Sequence, residues 1–364
     1  MTRDPSHLLP SAEPVTLVDA NGQAVDNPDQ KRPDDSTLLR ALRAMIVARR
    51  LNDQAYALVR QGRLAVYPSS HGQEACQVAA AQVLAADDWL FPTYRDTAAV
   101  AEKGVDPVEA LSLLKGDWHC GYDPYEYKVA PHATPLATQL PHAVGVAVAA
   151  RLKHEPTVVL AMCGDGGTSE GDFHEALNFA AVFQAPVVFF VQNNKYAISV
   201  PLARQSAAPT LAHKAVGYGM PGEQVDGNDV AALLAVLGAA VDRARDGGGP
   251  QLVEAHTYRM QAHTNADDAK RYRDDAEVAE WAGRDPITRL ETYLRDRGAL
   301  SDERRAEFAA DAQRVAEHLR TGINRDVEPD PQDLFAYVYA GPTPQLREQA
   351  AMIADELARD GAPR

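Results

Sequence analysis

Cysteine is scarce in this chain: Cys76, Cys120 and Cys163 are few, odd in number and widely spaced. Neither a disulfide framework nor a C-x-x-C metal or redox site is present, and a reducing, cytoplasmic setting is expected. Positive charge is also short, with 36 Lys and Arg against 51 Asp and Glu and a net charge of −15. That balance argues against a basic face for nucleic acid or an anionic membrane, and neither partner is expected. No stretch approaches the roughly 18 consecutive apolar residues of a membrane span. The opening MTRDPSHLLPSAEP has acids and prolines but no apolar core of a leader, so no export or transit signal is expected. Internal repeats are lacking too. Phosphate-loop signatures fail: no G-x-x-x-x-G-K-[ST] occurs, and a G-x-G-x-x-G reading of the run from Gly164 fails because Ser169 stands where the third glycine belongs.

What the sequence does have is an ample core, 45% hydrophobic residues over 364 positions, enough for one large α/β domain with appended helices or for two modest domains. The runs Thr157–Met162 and Pro186–Val191 are continuously apolar and rich in β-branched residues, as strands buried on both faces of a parallel sheet are. Between them Glu170–Phe183 reads as a helix, with Phe173, Ala176, Leu177 and Ala180 on one face and acids near its start. This is one right-handed βαβ unit whose strands end side by side. Further along, Val225–Asp229 reads as a turn into a helix over Val230–Arg245, followed by a strand over Gln251–Tyr258. Ser36–Gln61, Glu74–Leu84 and Leu136–Ala150 read as helices, and Leu90–Arg95 as a short strand that delivers Tyr94 and Arg95 to its end. The fold class is therefore α/β, a doubly wound parallel sheet flanked by helices with a helical C-terminal extension.

The first βαβ unit carries chemistry at its strand ends. Ligands of open parallel sheets bind outside the carboxyl ends of the strands, which brings Asp165 and Asn194 to one place. A carboxylate and a carboxamide are hard oxygen donors, suited to a Mg²⁺ that completes its shell with water and phosphate oxygens. Gly164, Gly166 and Gly167 let backbone amides approach that phosphate, and the following helix N-terminus favours its charge. A lone Gly-Asp-Gly or Asn-Asn is ordinarily a turn. Both together, at the ends of neighbouring strands, indicate a Mg²⁺-diphosphate, with a nicotinamide-binding oxidoreductase as the weaker alternative.

GDGGTSEGD followed by NNKYAIS resembles the thiamine-diphosphate motif. The wider series YPSSHGQEA, DWLFPTYRD, TPLATQLPHAVG, YGMPGEQVDGNDV and EAHTYRMQAHTNADDAKRYR is similar to the α subunit of the thiamine-diphosphate-dependent dehydrogenase component of 2-oxo acid dehydrogenase complexes, across residues 36–345. The resemblance implies a thiamine-diphosphate-binding fold and Mg²⁺ held by the Asp165 and Asn194 side chains and the Tyr196 carbonyl. It implies diphosphate contacts from Tyr94, Arg95 and His263, to which an arginine fork and a histidine donor are suited. Gln192 lies where many branched-chain members carry Arg, making that phosphate contact neutral. ATPLATQ resembles the stretch meeting the cofactor's central bend and a monovalent-cation loop, K⁺ in a structural role, on Thr134, Leu136, Thr138 and Gln139.

Enzymes of this family need one domain for the diphosphate and another for the aminopyrimidine, and only one such sheet is found here, so the resemblance implies a β subunit that supplies the rest, with the activating glutamate, in an α2β2 heterotetramer. This chain alone should be inactive. By the same resemblance the thiamine cofactor is the electron sink for decarboxylation of a 2-oxo acid, and the acyl group passes to a lipoyl-bearing acyltransferase component, with His263 assisting as a catalytic residue. Thr264 falls where related mitochondrial chains carry a phosphorylated Ser, a modification not expected in a cytosolic chain. TPLATQ resembles the branched-chain branch, with pyruvate as the alternative substrate and a standalone acetoin-cleaving enzyme as a different class. The domains expected are an N-terminal arm over 1–35, partly ordered at best, a diphosphate- and Mg²⁺-binding domain over 36–300, and a C-terminal helical interface region over 301–364.

Overall fold

The structure is a computed structural model that describes residues 5–116, 120–324 and 330–360. The chain divides into two units, Met1–Ile323 and Asn324–Arg364. In chain order the first unit begins with α1 (Asp35–Arg60), α2 (Glu74–Gln82), β1 (Trp89–Phe91), α3 (Thr97–Glu102), α4 (Pro107–Lys115) and α5 (Pro124–Tyr127). It continues with α6 (Gln139–Leu152), β2 (Val159–Gly164), α7 (Gly171–Phe183), β3 (Val187–Asn193) and a two-residue hairpin pair, β4 (Tyr196–Ala197) and β5 (Val200–Pro201). Then follow β6 (Gly222–Asp226), α8 (Val230–Arg245), β7 (Gln251–His256), α9 (Asp275–Ala282), α10 (Pro286–Asp296) and α11 (Asp302–Gly322). The second unit holds α12 (Asp333–Ala336) and α13 (Pro344–Asp360). Part of the VEPDPQD interruption read from the sequence lies outside the described residues.

Five strands form one parallel sheet in the order β1-β2-β3-β7-β6. β2 and β3 alternate their side chains between two cores, which is why both read as unbroken apolar runs. Val159, Ala161, Cys163, Val187, Phe189 and Val191 face α6 and α7. Leu160, Met162, Val188 and Phe190 face the opposite core, which includes residues of α1, α2 and α8. The placement follows from crossover handedness. Steps from β1 to β2 to β3 cross the sheet in one direction and place α6 and α7 on one face, whereas the step from β6 to β7 runs back and puts α8 on the other. α7 buries Phe173, Ala176, Leu177 and Ala180, the apolar stripe legible in the sequence, and ends at Gln184 in the left-handed region.

Three features depart from the sequence reading. Gly222–Asp226, read in part as a turn, is the edge strand β6. Its pattern is not apolar, because buried Gln224 is satisfied instead by donating Nε2 to the Ser11 carbonyl and accepting at Oε1 from the His256 ring. The arm is also more ordered than expected. The Val15 amide donates to the Gln224 carbonyl at 2.9 Å and its carbonyl accepts from the Asp226 amide at 3.0 Å, covering the free edge of β6. Leu17 and Val18 are buried and donate their amides to Asp229 Oδ2, both at 2.7 Å. Finally, the boundary expected at residue 300 lies at Ile323. α11 packs on α1, with Leu319 and Ile323 in one core with Leu51 and Leu58. Among the described residues no helix is long and apolar enough to cross a membrane.

Candidate active site

The sheet's carboxyl edge lines up the site. Gly164 is in register with Gln192, and Asn193 with His256, so the chain leaves β2, β3 and β7 at one level. Beyond β1, Thr93 pairs with Ala133 and the Tyr94 amide donates to the Ala133 carbonyl, laying the start of ATPLATQ beside PTYR. Between these ends lies a cavity of about 480 Å³. Of the residues singled out from the sequence, Tyr94, Arg95, Leu136, Gly164, Asp165, Gly166, Gly167, Gln192, Asn194, Tyr196 and His263 line it. Thr134 does not; it is exposed, as are its neighbours Pro135 and Leu136. Thr138 and Gln139 sit at the start of α6, where Thr138 donates to Asp172 at 3.3 Å and Gln139 Nε2 donates to the Met162 carbonyl at 2.6 Å.

Asp165 is 1% exposed, and burial lifts its carboxyl above the ordinary range. Gln205 Nε2 donates to Asp165 Oδ2 at 3.1 Å. The turn that carries Asp165, Gly166–Ser169, is clamped from behind: Lys214 Nζ donates to the Thr168 carbonyl at 2.8 Å and to its hydroxyl at 3.0 Å. Gly166 admits no side chain, since a Cβ there would stand 2.8 Å from the Ala197 Cβ. Asn194 follows β3, and Lys195, Ile198 and, next to Leu136, Ala137 hold positive φ of 77°, 55° and 64°. For the β-branched Ile198 this is a strained conformation. Such strain at a cavity wall accompanies binding sites, where surrounding structure over-determines the backbone.

The cationic side is built by Arg95 and Arg259. Arg95 donates Nη1 to the Ser69 carbonyl at 2.7 Å and Nη2 to the His263 carbonyl at 3.2 Å, with Nη2 3.0 Å from His263 Nδ1. Arg259, 1% exposed, donates to the Ile198 carbonyl and the Tyr272 hydroxyl, both at 2.7 Å. Burial, then Arg95 and Arg259, push the His263 titration down to about 4. The imidazole is thus neutral at physiological pH, and its Nδ1 serves as acceptor towards Arg95. Its backbone amide donates to Asp267 at 2.7 Å, which fixes the loop.

Sequence reasoning did not single out Gln73, Asp96, Arg204 and Gln205, which also line the cavity, nor Arg259 behind it. Gln73, Asp96 and Arg259 sit inside segments already noted, HGQEA, TYRD and TYRMQ. The Gln205 contact depends on the β4–β5 hairpin folding back over Asp165 and has no local signature.

The donor set fits a hard cation beside a polyanion. One buried carboxylate, one carboxamide and a chain carbonyl match Mg²⁺ preferences, and the arginines and glycine-rich turn suit a diphosphate. Among the described residues no cluster of three or more His, Cys, Asp and Glu able to hold a metal occurs. The donors here are mainly neutral oxygens.

The family model described as "Dehydrogenase E1 component" matches residues 42–329. The "3-methyl-2-oxobutanoate dehydrogenase subunit alpha" of Mycobacterium tuberculosis is 47% identical over 361 residues, covering 98% of this chain and 98% of that protein. The "Pyruvate dehydrogenase E1 component subunit alpha" of Acholeplasma laidlawii is 37% identical over 338 residues, covering 91% of this chain and 96% of its own length. Its namesake from Staphylococcus aureus is 38% identical over 296 residues, covering 81% and 80%. With most of its length matched by the family model and a relative aligned almost end to end, the chain belongs to the dehydrogenase E1 component family, the thiamine-diphosphate-dependent oxidoreductases.

Proposed function

We propose that this chain is the α subunit of a cytoplasmic 2-oxo acid dehydrogenase acting on branched-chain 2-oxo acids, 3-methyl-2-oxobutanoate foremost. The observation that carries the reading is the convergence of Asp165, Asn194, Tyr196, Arg95 and His263 on one cavity, in a chain 47% identical to a protein named for that substrate. The relatives named for pyruvate stand at 37% and 38%. Pyruvate is the second reading on that ground.

In this reading Asp165, Asn194 and the Tyr196 carbonyl hold Mg²⁺, and Tyr94, Arg95 and His263 hold the diphosphate. Burial that disfavours the Asp165 charge is offset when a divalent cation faces it. Thiamine diphosphate, when bound, supplies the electron sink for decarboxylation. The protein's part is to anchor the diphosphate end, exclude water and keep His263 neutral, with Nδ1 turned to Arg95 so that the Nε2–H is left to donate a hydrogen bond. A K⁺ at the start of α6 is supported by Gln139 Oε1, which is buried without a hydrogen-bond partner among the described residues. The partners are a β subunit in an α2β2 assembly and a lipoyl-bearing acyltransferase component. The relatives' designation as subunit alpha supports the first of these.

The test is a substrate panel on the chain coexpressed with its β subunit, with thiamine diphosphate, Mg²⁺ and an artificial electron acceptor. A higher kcat/KM for 3-methyl-2-oxobutanoate than for pyruvate is expected. The reverse order would move the assignment to pyruvate. Each carbon by which the two side chains differ discriminates by only about 1–3 kcal/mol in an apolar pocket, so the ratio, not mere turnover, is the readout.

A further inference from the structure

Along the wall of the cavity runs a chain of side-chain hydrogen bonds that starts at a carboxylate and ends at Asn194. Asp96 Oδ2 accepts from the Thr93 amide and hydroxyl, both at 2.7 Å, and its Oδ1 accepts from Gln192 Nε2 at 2.7 Å. Gln192 Oε1 accepts from Gln73 Nε2 at 2.9 Å, and Gln73 Oε1 accepts from Asn194 Nδ2 at 3.0 Å. All four side chains are buried, with exposures of 0% for Asp96, 2% for Gln192, 1% for Gln73 and 6% for Asn194. They come from three separate places: the start of α3, the start of α2, and β3 with its end.

The order of donors and acceptors is not free. A carboxylate only accepts, so Gln192 must turn its amide nitrogen to Asp96 and its oxygen to Gln73. Gln73 must then turn its nitrogen to Gln192 and its oxygen to Asn194. Asn194 in turn must give its nitrogen to Gln73, which leaves Oδ1 as the end facing away, on the side of Tyr196, whose amide approaches it at 3.4 Å. Reversing any one carboxamide places donor against donor in a buried site, where no water replaces the lost partner.

We propose that Asp96, Gln192 and Gln73 are positioning residues that set the polarity of the Asn194 carboxamide, so that its oxygen and not its nitrogen is offered to the divalent cation. Gln192, with both ends engaged inside the protein, is a link in this chain and not a phosphate ligand. The inference rests on the metal assignment made above. It explains why a carboxamide, whose two ends are nearly alike in size, can serve as a dependable cation ligand here: the far carboxylate makes the ends inequivalent.

The chain's direction can be reversed and restored by moving one carboxylate. In Asp96→Asn the Asn oxygen keeps the Thr93 donors and its nitrogen faces Gln192, so each carboxamide down the line flips and Asn194 turns its nitrogen to the cation. Adding Gln192→Glu accepts from that nitrogen on one oxygen and from Gln73 Nε2 on the other, which restores the original sense. The measurement is the Mg²⁺ dissociation constant by calorimetry at saturating thiamine diphosphate, on the chain complexed with its β subunit, with thermal unfolding followed in parallel. Asp96→Asn is expected to weaken Mg²⁺ at least about tenfold and the double variant to return to within about threefold of the parent. Unchanged affinity in Asp96→Asn, or a double variant no better than the single one, overturns the proposal. If Asp96→Asn does not fold, Gln192→Met cuts the chain while leaving the Thr93 bonds intact; weaker Mg²⁺ supports the proposal and parental affinity overturns it. Asp165→Ala is measured alongside. If it binds Mg²⁺ like the parent, the metal assignment itself fails and the proposal with it, whereas loss there with no effect of Asp96→Asn sinks the proposal alone.

Discussion

Replacing Arg95 with Met is the most informative single substitution, because Arg95 is joined both to the fold and to the site. Met keeps an unbranched apolar stem against Tyr94, over whose ring the guanidinium lies at 5.6 Å. What is lost is the charge and its fork: the bonds to the Ser69 and His263 carbonyls and the contact with His263 Nδ1. A charge-assisted hydrogen bond to a phosphate oxygen contributes about 1.5–3 kcal/mol. At about 1.4 kcal/mol per tenfold, the dissociation constant for thiamine diphosphate should rise by roughly 10- to 100-fold. Calorimetric titration of the cofactor with Mg²⁺ into the complexed chain reads this directly, beside a substrate panel. Removing Arg95 also removes one of the causes that hold His263 near 4, so the imidazole should titrate higher in the variant. Cofactor affinity within twofold of the parent, or unchanged affinity with altered substrate preference, would refute the phosphate role.

Two further predictions concern the frame around the site. Asp229 accepts four backbone amides, from Leu17 and Val18 of the arm and from Ala231 and Ala232 at the start of α8. Asp229→Ala leaves buried amides without partners and removes a helix cap, so chemical denaturation should show a loss of about 2–4 kcal/mol, with early proteolytic cleavage in the arm. Equal stability would mean the arm is not held through this carboxylate. His132 is held near 4 by burial alone, against about 6.5 in the unfolded chain. Between those values the unfolded state takes up a proton that the native state does not, so stability falls as pH drops from about 6.5 to 4. The fall attributable to this ring is at most about 3 kcal/mol. His132→Leu should flatten the denaturation-midpoint curve across that window, and an unchanged slope would contradict the assignment.

The parts of the fold legible in the sequence are those whose environment repeats along the chain. β2 and β3 announce themselves because residues on both faces are buried, and α8 because Asp229 caps it and its apolar residues recur at helical spacing. β6 and the arm stay hidden because their order comes from partners more than 200 positions away, a Val15 bridge and an Asp229 carboxylate, and not from local pattern. α6 starts at Gln139, later than its apolar composition suggests, because Ala137 takes a positive φ before it. Asp165 and Asn194 are readable as a pair because strand ends fix their neighbourhood. Gln73, Asp96 and Gln205 are not, since their roles depend on hydrogen bonds across elements, which leave no periodic trace.

The measurement that bears most directly on the central claim is calorimetric binding of thiamine diphosphate to the chain complexed with its β subunit, with and without Mg²⁺, in the parent and in Asp165→Ala. The expected result is Mg²⁺-dependent binding in the parent, its loss in Asp165→Ala, and an unchanged circular dichroism spectrum, since Asp165 lies at a strand end facing the cavity. Binding that ignores Mg²⁺, or that survives Asp165→Ala at parental affinity, would contradict the site described here.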